Sequence, residues 1–137
     1  MRAALRAGAA ALACAGFALS AHAAPTPMAA SLRVTVDGIT PVGGTLRVGL
    51  YDEATFALLS DSPLFKREAK AASNVVVTFE RLPPGTYAVK VFQDVNNDGK
   101  AEAGEPFGIS NGAARDNFDA AAVVLQPGSN TTAIHLR

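Results

Sequence analysis

The sequence predicts an all-β fold, an antiparallel β-sandwich of about seven strands, on two observations. Short runs alternate apolar and polar residues at a period of two, and proline- and glycine-rich turns separate those runs. The chain that remains once a leader is removed suits one domain with a single core.

The leader comes first. Arg2 and Arg6 open a basic start, an apolar run follows over residues 7–19, and Ala21-His22-Ala23 supplies the small-x-small site of a signal peptidase. Residues 1–23 are therefore expected to be a cleaved signal peptide. The apolar run is shorter than the roughly 20 residues that span a bilayer, so no transmembrane anchor is expected in the mature chain. Export to the periplasm or the extracellular medium follows. Cys14, the one cysteine, falls in the leader, so the mature chain contains neither disulfide nor thiol chemistry. Of 12 basic and 12 acidic residues, Arg2 and Arg6 leave with the leader, so the mature formal charge is −2. That balance offers no basic excess to attract nucleic acid and no cationic amphipathic stretch for a membrane surface.

Residues 24–30, with Pro25 and Pro27, read as a flexible leader onto a domain over residues 31–137. Leu32, Val34 and Val36 alternate with Arg33 and Thr35, which predicts the first strand, and Asp37-Gly38 ends it. A turn over residues 41–44 leads to a second strand in which Leu46, Val48 and Leu50 face one way and Arg47, Gly49 and Tyr51 the other. Residues 52–74 show weaker order. They predict a long connection with a helical turn over 53–59 that docks Phe56 and Phe65 on the core. The run 75–80 is largely apolar on both faces and predicts a central strand.

Pro83-Pro84-Gly85 reverses the chain, since proline fixes φ and glycine accepts φ > 0. The strand after it places Tyr87, Val89 and Val91 on one face. Tyr87 sits where a tyrosine corner of immunoglobulin-like sandwiches would stand, its hydroxyl bonding a nearby backbone group; an ordinary core tyrosine is the alternative. Further on, residues 107–112 are glycine-rich and irregular, residues 120–125 are apolar, and a final strand is expected over 131–136.

The strand after Tyr87 runs into Asp94-Val95-Asn96-Asn97-Asp98-Gly99-Lys100-Ala101-Glu102-Ala103-Gly104-Glu105, which fits the pattern of an EF-hand calcium loop, D-x-[DN]-x-[DN]-G-x5-E. A hard dication takes six to eight oxygens, and a coiled loop aims every second side chain inward. Candidate ligands are Asp94, Asn96, Asp98, the Lys100 carbonyl, Glu102 and a bidentate Glu105, with Gly99 at the sharp turn. Calcium is thus the expected ion, ahead of magnesium. A strand precedes the loop and Pro106 follows it, so the loop would be grafted onto a sheet rather than flanked by helices. The competing reading is an Asx-rich turn whose side chains bond their own backbone and bind nothing.

With Leu82-Pro83-Pro84-Gly85-Thr86-Tyr87, the aspartate-rich loop and Glu105-Pro106-Phe107-Gly108-Ile109-Ser110-Asn111 in view, the chain resembles a secreted bacterial family, domain of unknown function 2141. The resemblance also rests on Tyr51-Asp52 and Phe56, and it implies export and a β fold. Gln93 departs from it, standing where the family often carries histidine. By analogy of fold it extends to transthyretin-like sandwiches.

One decoy stands out. Gly108-Ile109-Ser110-Asn111-Gly112 fits G-x-S-x-G, and Asp119 and His135 follow in hydrolase order, but the strand–elbow–helix context of a parallel sheet is missing. The functions that remain are a non-enzymatic structural or assembly module of the bacterial envelope with a calcium-stabilised loop, a binding module for an envelope protein, peptide or glycan partner, and, remotely, a small hydrolase using Ser110.

Overall fold

The computed structural model describes residues 28–57 and 62–137. The expected signal peptide, residues 24–27 of the expected flexible leader, and Leu58 and Leu59 of the expected helical turn lie outside the described residues.

Two sheets make up the domain. In the three-stranded sheet, β1 (Ala30–Asp37) lies between β4 (Val75–Leu82) and β8 (Gly128–His135). In the five-stranded sheet the order is β3 (Phe65–Lys70), β2 (Thr45–Tyr51), β5 (Gly85–Asp94) and β6 (Phe107–Ile109), with β7 (Val123–Leu125) paired to the start of β5. Two single-turn helices, α1 (Glu53–Phe56) and α2 (Phe118–Ala121), and a 3-10 turn (Ser110–Gly112) complete the described elements.

The predicted alternation sets the faces. Leu32, Val34 and Val36 of β1, Phe79 of β4 and Ile134 of β8 meet Leu46, Val48, Leu50, Val89 and Val91 of the other sheet in one buried cluster. Each such side chain contributes about 1.5–3 kcal/mol relative to its exposed state. A second, smaller cluster of Tyr51, Phe56, Ala88, Ile109 and Ala121 forms beside it. Tyr51 and Ala88 alternate with Leu50 and Val89, so this cluster covers the opposite face of the five-stranded sheet. β5 is consequently buried on both sides where Tyr87, Ala88 and Val89 succeed one another.

The tyrosine corner is present: the Tyr87 hydroxyl donates to the Pro83 carbonyl at 2.7 Å, and the ring is buried. Four expectations need correction. The fold is not wholly antiparallel, because β1 and β8 pair in parallel, from Ala30 beside Gly128 to Asp37 beside His135. A parallel pair cannot be closed by a tight hairpin, and here residues 38–127 intervene. Among the described residues eight strands replace about seven, because the supposed long connection contains β3 and the irregular segment contains β6. β3 is an edge strand, half-buried only at Phe65 and Ala69, and its Lys66-Arg67-Glu68 run hides the alternation. β4 is likewise an edge rather than a central strand, and its outward Val76 is 46 % exposed. Finally, β1 begins at Ala30, so the last residue of the expected leader belongs to the sheet.

Candidate functional site

The acidic loop begins inside the protein. Asp94 is the last residue of β5, lies opposite Thr45 of β2, and has a fully buried side chain. Arg47, two residues further along β2, sends its Nε to Asp94 Oδ2 at 2.6 Å and its Nη1 to Glu68 Oε1 of β3 at 2.5 Å. Gly99 N donates to Asp94 Oδ2 at 2.8 Å, and Asp98 N lies 3.2 Å from Oδ1. Burial pushes the Asp94 carboxyl up, but the Arg47 hydrogen bond, the Gly99 N–H and the Arg47 charge outweigh it and hold the carboxyl below the usual carboxylate range. The sequence leaves only Lys100 as a cation near these carboxylates; the cation that matters is Arg47, which pairing of β2 with β5 delivers.

Neighbouring backbone fixes the loop entrance. A Cβ on Gly44, whose φ is +92°, would lie 2.3 Å from the Asp94 carbonyl oxygen. Buried Gln93 ties the same connection down: its Oε1 accepts from Thr40 N at 2.9 Å, and its Nε2 donates to the Thr40 and Gly43 carbonyls at 3.0 and 2.7 Å.

Every predicted ligand residue lies on this one coiled loop. Asn96 Oδ1 accepts from Asp98 N at 3.2 Å and Asp98 Oδ1 from Lys100 N at 2.9 Å, both of the Asx type that the competing reading requires. Glu105 closes the loop with both oxygens, Oε1 taking Val95 N and Oε2 taking Glu102 N, each at 3.0 Å. Asn96 Nδ2 donates to Glu102 Oε2 at 2.9 Å. The neighbouring Asp98 carboxylate raises the Glu102 carboxyl, while the Asn96 amide lowers it; the two carboxylates crowd one another. Asn97 and Gly99 take φ of 57° and 81°, and Thr45 anchors the Asn97 side chain at 2.7 Å. Among the described residues, no three His, Cys, Asp or Glu side chains already converge as a metal-ligating group. The donor set is nonetheless all oxygen, which suits a hard cation. Binding one would require Glu102 and Glu105 to exchange their present hydrogen bonds for the ion.

A family model described as an uncharacterized protein conserved in bacteria, domain of unknown function 2141, matches residues 34–133. The chain belongs to this family. No curated protein and no solved structure matches it.

The residues that carried the resemblance have structural positions in this family member. Tyr51 and Phe56 meet edge to face at 6.5 Å, and Phe56 meets Phe118 at 5.6 Å. Asp52 caps α1, accepting from Thr55 N at 2.8 Å. Gly108 lets β6 pass β8, since a Cβ there would meet Ile134 Cγ2 at 2.6 Å. Ser110 is wholly buried: its Oγ accepts from Val89 N at 3.0 Å and donates to the Ala121 carbonyl at 2.5 Å. His135 lies on exposed surface with Nδ1 2.8 Å from Asp37 Oδ1. Of the hydrolase-like trio, Ser110 is thus a buried staple and His135 pairs on the surface with Asp37 rather than with Asp119. Asn111 adds two donors, to the Ala120 and Ala122 carbonyls at 3.1 and 3.0 Å.

Proposed function

We propose that this chain is an exported, non-enzymatic β-sandwich module of the bacterial envelope, immunoglobulin- or transthyretin-like in build, whose acidic loop is stabilised by calcium. The observation that carries the reading is the closure of residues 94–105 by Glu105, with five oxygen-bearing side chains on ligand-spaced positions of one turn. Asp94, Asn96, Asp98, the Lys100 carbonyl, Glu102 and Glu105 would hold the ion. The dication would supply positive charge where Asp98 and Glu102 now repel, and so would favour the folded loop. The signal-peptide pattern supports export. For the structural role over a glycan platform, the large apolar residues exposed among those described are Met28, Val42, Leu64, Val76, Val95 and Val124, with no aromatic ring.

Calorimetric titration of metal-free protein tests the proposal. Calcium is expected to bind with Kd of about 10⁻⁴ to 10⁻³ M, as in extracellular modules, and magnesium more weakly. Absence of heat with calcium at millimolar concentration, in wild type and Asp98→Ala alike, would refute it.

A further inference from the structure

We infer that the outer face of the five-stranded sheet holds a small organic polycarboxylate, in a groove that runs from the acidic loop to the Tyr51–Phe56 cluster. This goes beyond the calcium reading and does not depend on the ion. The groove encloses about 630 Å³, within the range of small-molecule sites.

Strand register builds its floor. Lys66, Gly49, Lys90 and Ile109 form one row across β3, β2, β5 and β6, and Glu68, Arg47, Phe92 and Phe107 form the next. Gly49 leaves the middle of the first row without a side chain, and the Tyr51 and Pro63 rings close over the space, 2.9 Å from where a Cβ would stand. Phe92 and Phe107, both half-buried, give the floor an apolar strip.

Charge selects the occupant. Five lining side chains are cationic, Arg47, Lys66, Lys90, Lys100 and Arg115, against the single carboxylate Glu68. Arg47 is already held by Asp94 and Glu68, and Lys90 lies over the Tyr51 and Phe56 rings at 4.6 and 4.2 Å. Lys66, Lys100 and Arg115 are different: among the described residues they make no ion pair, and the Arg115 guanidinium rests 3.8 Å from the centre of the Phe107 ring. This local excess stands on a domain whose mature net charge is negative, so it is a feature of the groove and not of the surface at large. The three cations come from β3, from the acidic loop and from the segment before α2. They therefore meet a ligand at separate points, which suits several carboxylates spread on one body.

Benzene-1,3,5-tricarboxylate is a suitable probe, with neutral benzene-1,3,5-trimethanol as its control, titrated into ¹⁵N-labelled protein in metal-free buffer. The tricarboxylate should shift amide resonances of β3, β5 and β6 around Lys66, Phe92 and Phe107, and binding should weaken as sodium chloride is raised. The triple variant K66Q/K100Q/R115Q alters exposed side chains and should melt like wild type while losing affinity at least about tenfold. Equal binding of the neutral control, unchanged affinity in the folded triple variant, or no groove-localised shifts at tens of millimolar probe would each overturn the inference.

Discussion

Arg47 and Asp94 form an ion pair at the mouth of the acidic loop, Nε to Oδ2 at 2.6 Å, with the Asp94 side chain fully buried and that of Arg47 24 % exposed. A carboxylate with no solvent depends on its partners, and Arg47 is the charged one. Substituting Arg47→Met keeps the stem and removes the charge. It should cost about 2–3 kcal/mol in chemical denaturation at neutral pH, because Asp94 keeps its two N–H donors but loses its counter-charge.

The same pair sets a pH dependence. The folded Asp94 carboxyl titrates below its unfolded value of about 3.9, so its contribution is complete above that pH and is lost as pH falls through the depressed folded value. Measured in chelator, the stability gap between wild type and Arg47→Met should be widest at neutral pH and should narrow as pH falls toward and below about 4. A gap that widens in acid would assign the stabilisation to another group.

Gly44 and Gly43 are adjacent, both with positive φ, and should respond differently. A Cβ on Gly43 meets nothing within 4 Å, whereas one on Gly44 runs into the Asp94 carbonyl. Gly43→Ala should cost about 1 kcal/mol of backbone strain, and Gly44→Ala about 3 kcal/mol or more, with the excess arising from displacement of the loop entrance. Paired denaturation curves check this.

Ser110→Ala should destabilise by about 2 kcal/mol, since Val89 N and the Ala121 carbonyl would both lose their buried partner. The exposed His135→Ala should stay within about 0.5 kcal/mol of wild type. A buried-staple role also requires that Ser110→Ala leave any calcium response intact.

Sequence reading reached those parts of the molecule whose signals are local. The inward faces of β1, β2 and β5 follow from alternation because one side of each strand must be apolar to be buried. The Tyr87 corner and the spacing within residues 94–105 are written in consecutive residues. β3 stayed hidden because an edge strand buries too little to need a pattern, and β4 misled because Val76 is apolar yet exposed. Arg47 lies 47 positions before Asp94, and nothing in either residue marks the other; only the β2–β5 register joins them. Gln93 looked like a departure from its family, but its amide bonds backbone at Thr40 and Gly43, partners that leave no trace in side-chain identity. The groove was unreadable for the same reason, since its cations are drawn from segments far apart in the chain.

The proposal that a divalent cation stabilises the loop is best tested by thermal unfolding of the protein in calcium, in magnesium and in chelator. At 10 mM calcium and Kd of about 10⁻⁴ to 10⁻³ M, mass action predicts about 1.4–2.7 kcal/mol, an upward shift of roughly 5–10 °C. Magnesium should give little of it, and Asp98→Ala and Glu105→Ala should remove it while Ser110→Ala retains it. Coincident melts in all three solutions would contradict the account and leave residues 94–105 as a turn satisfied by its own backbone.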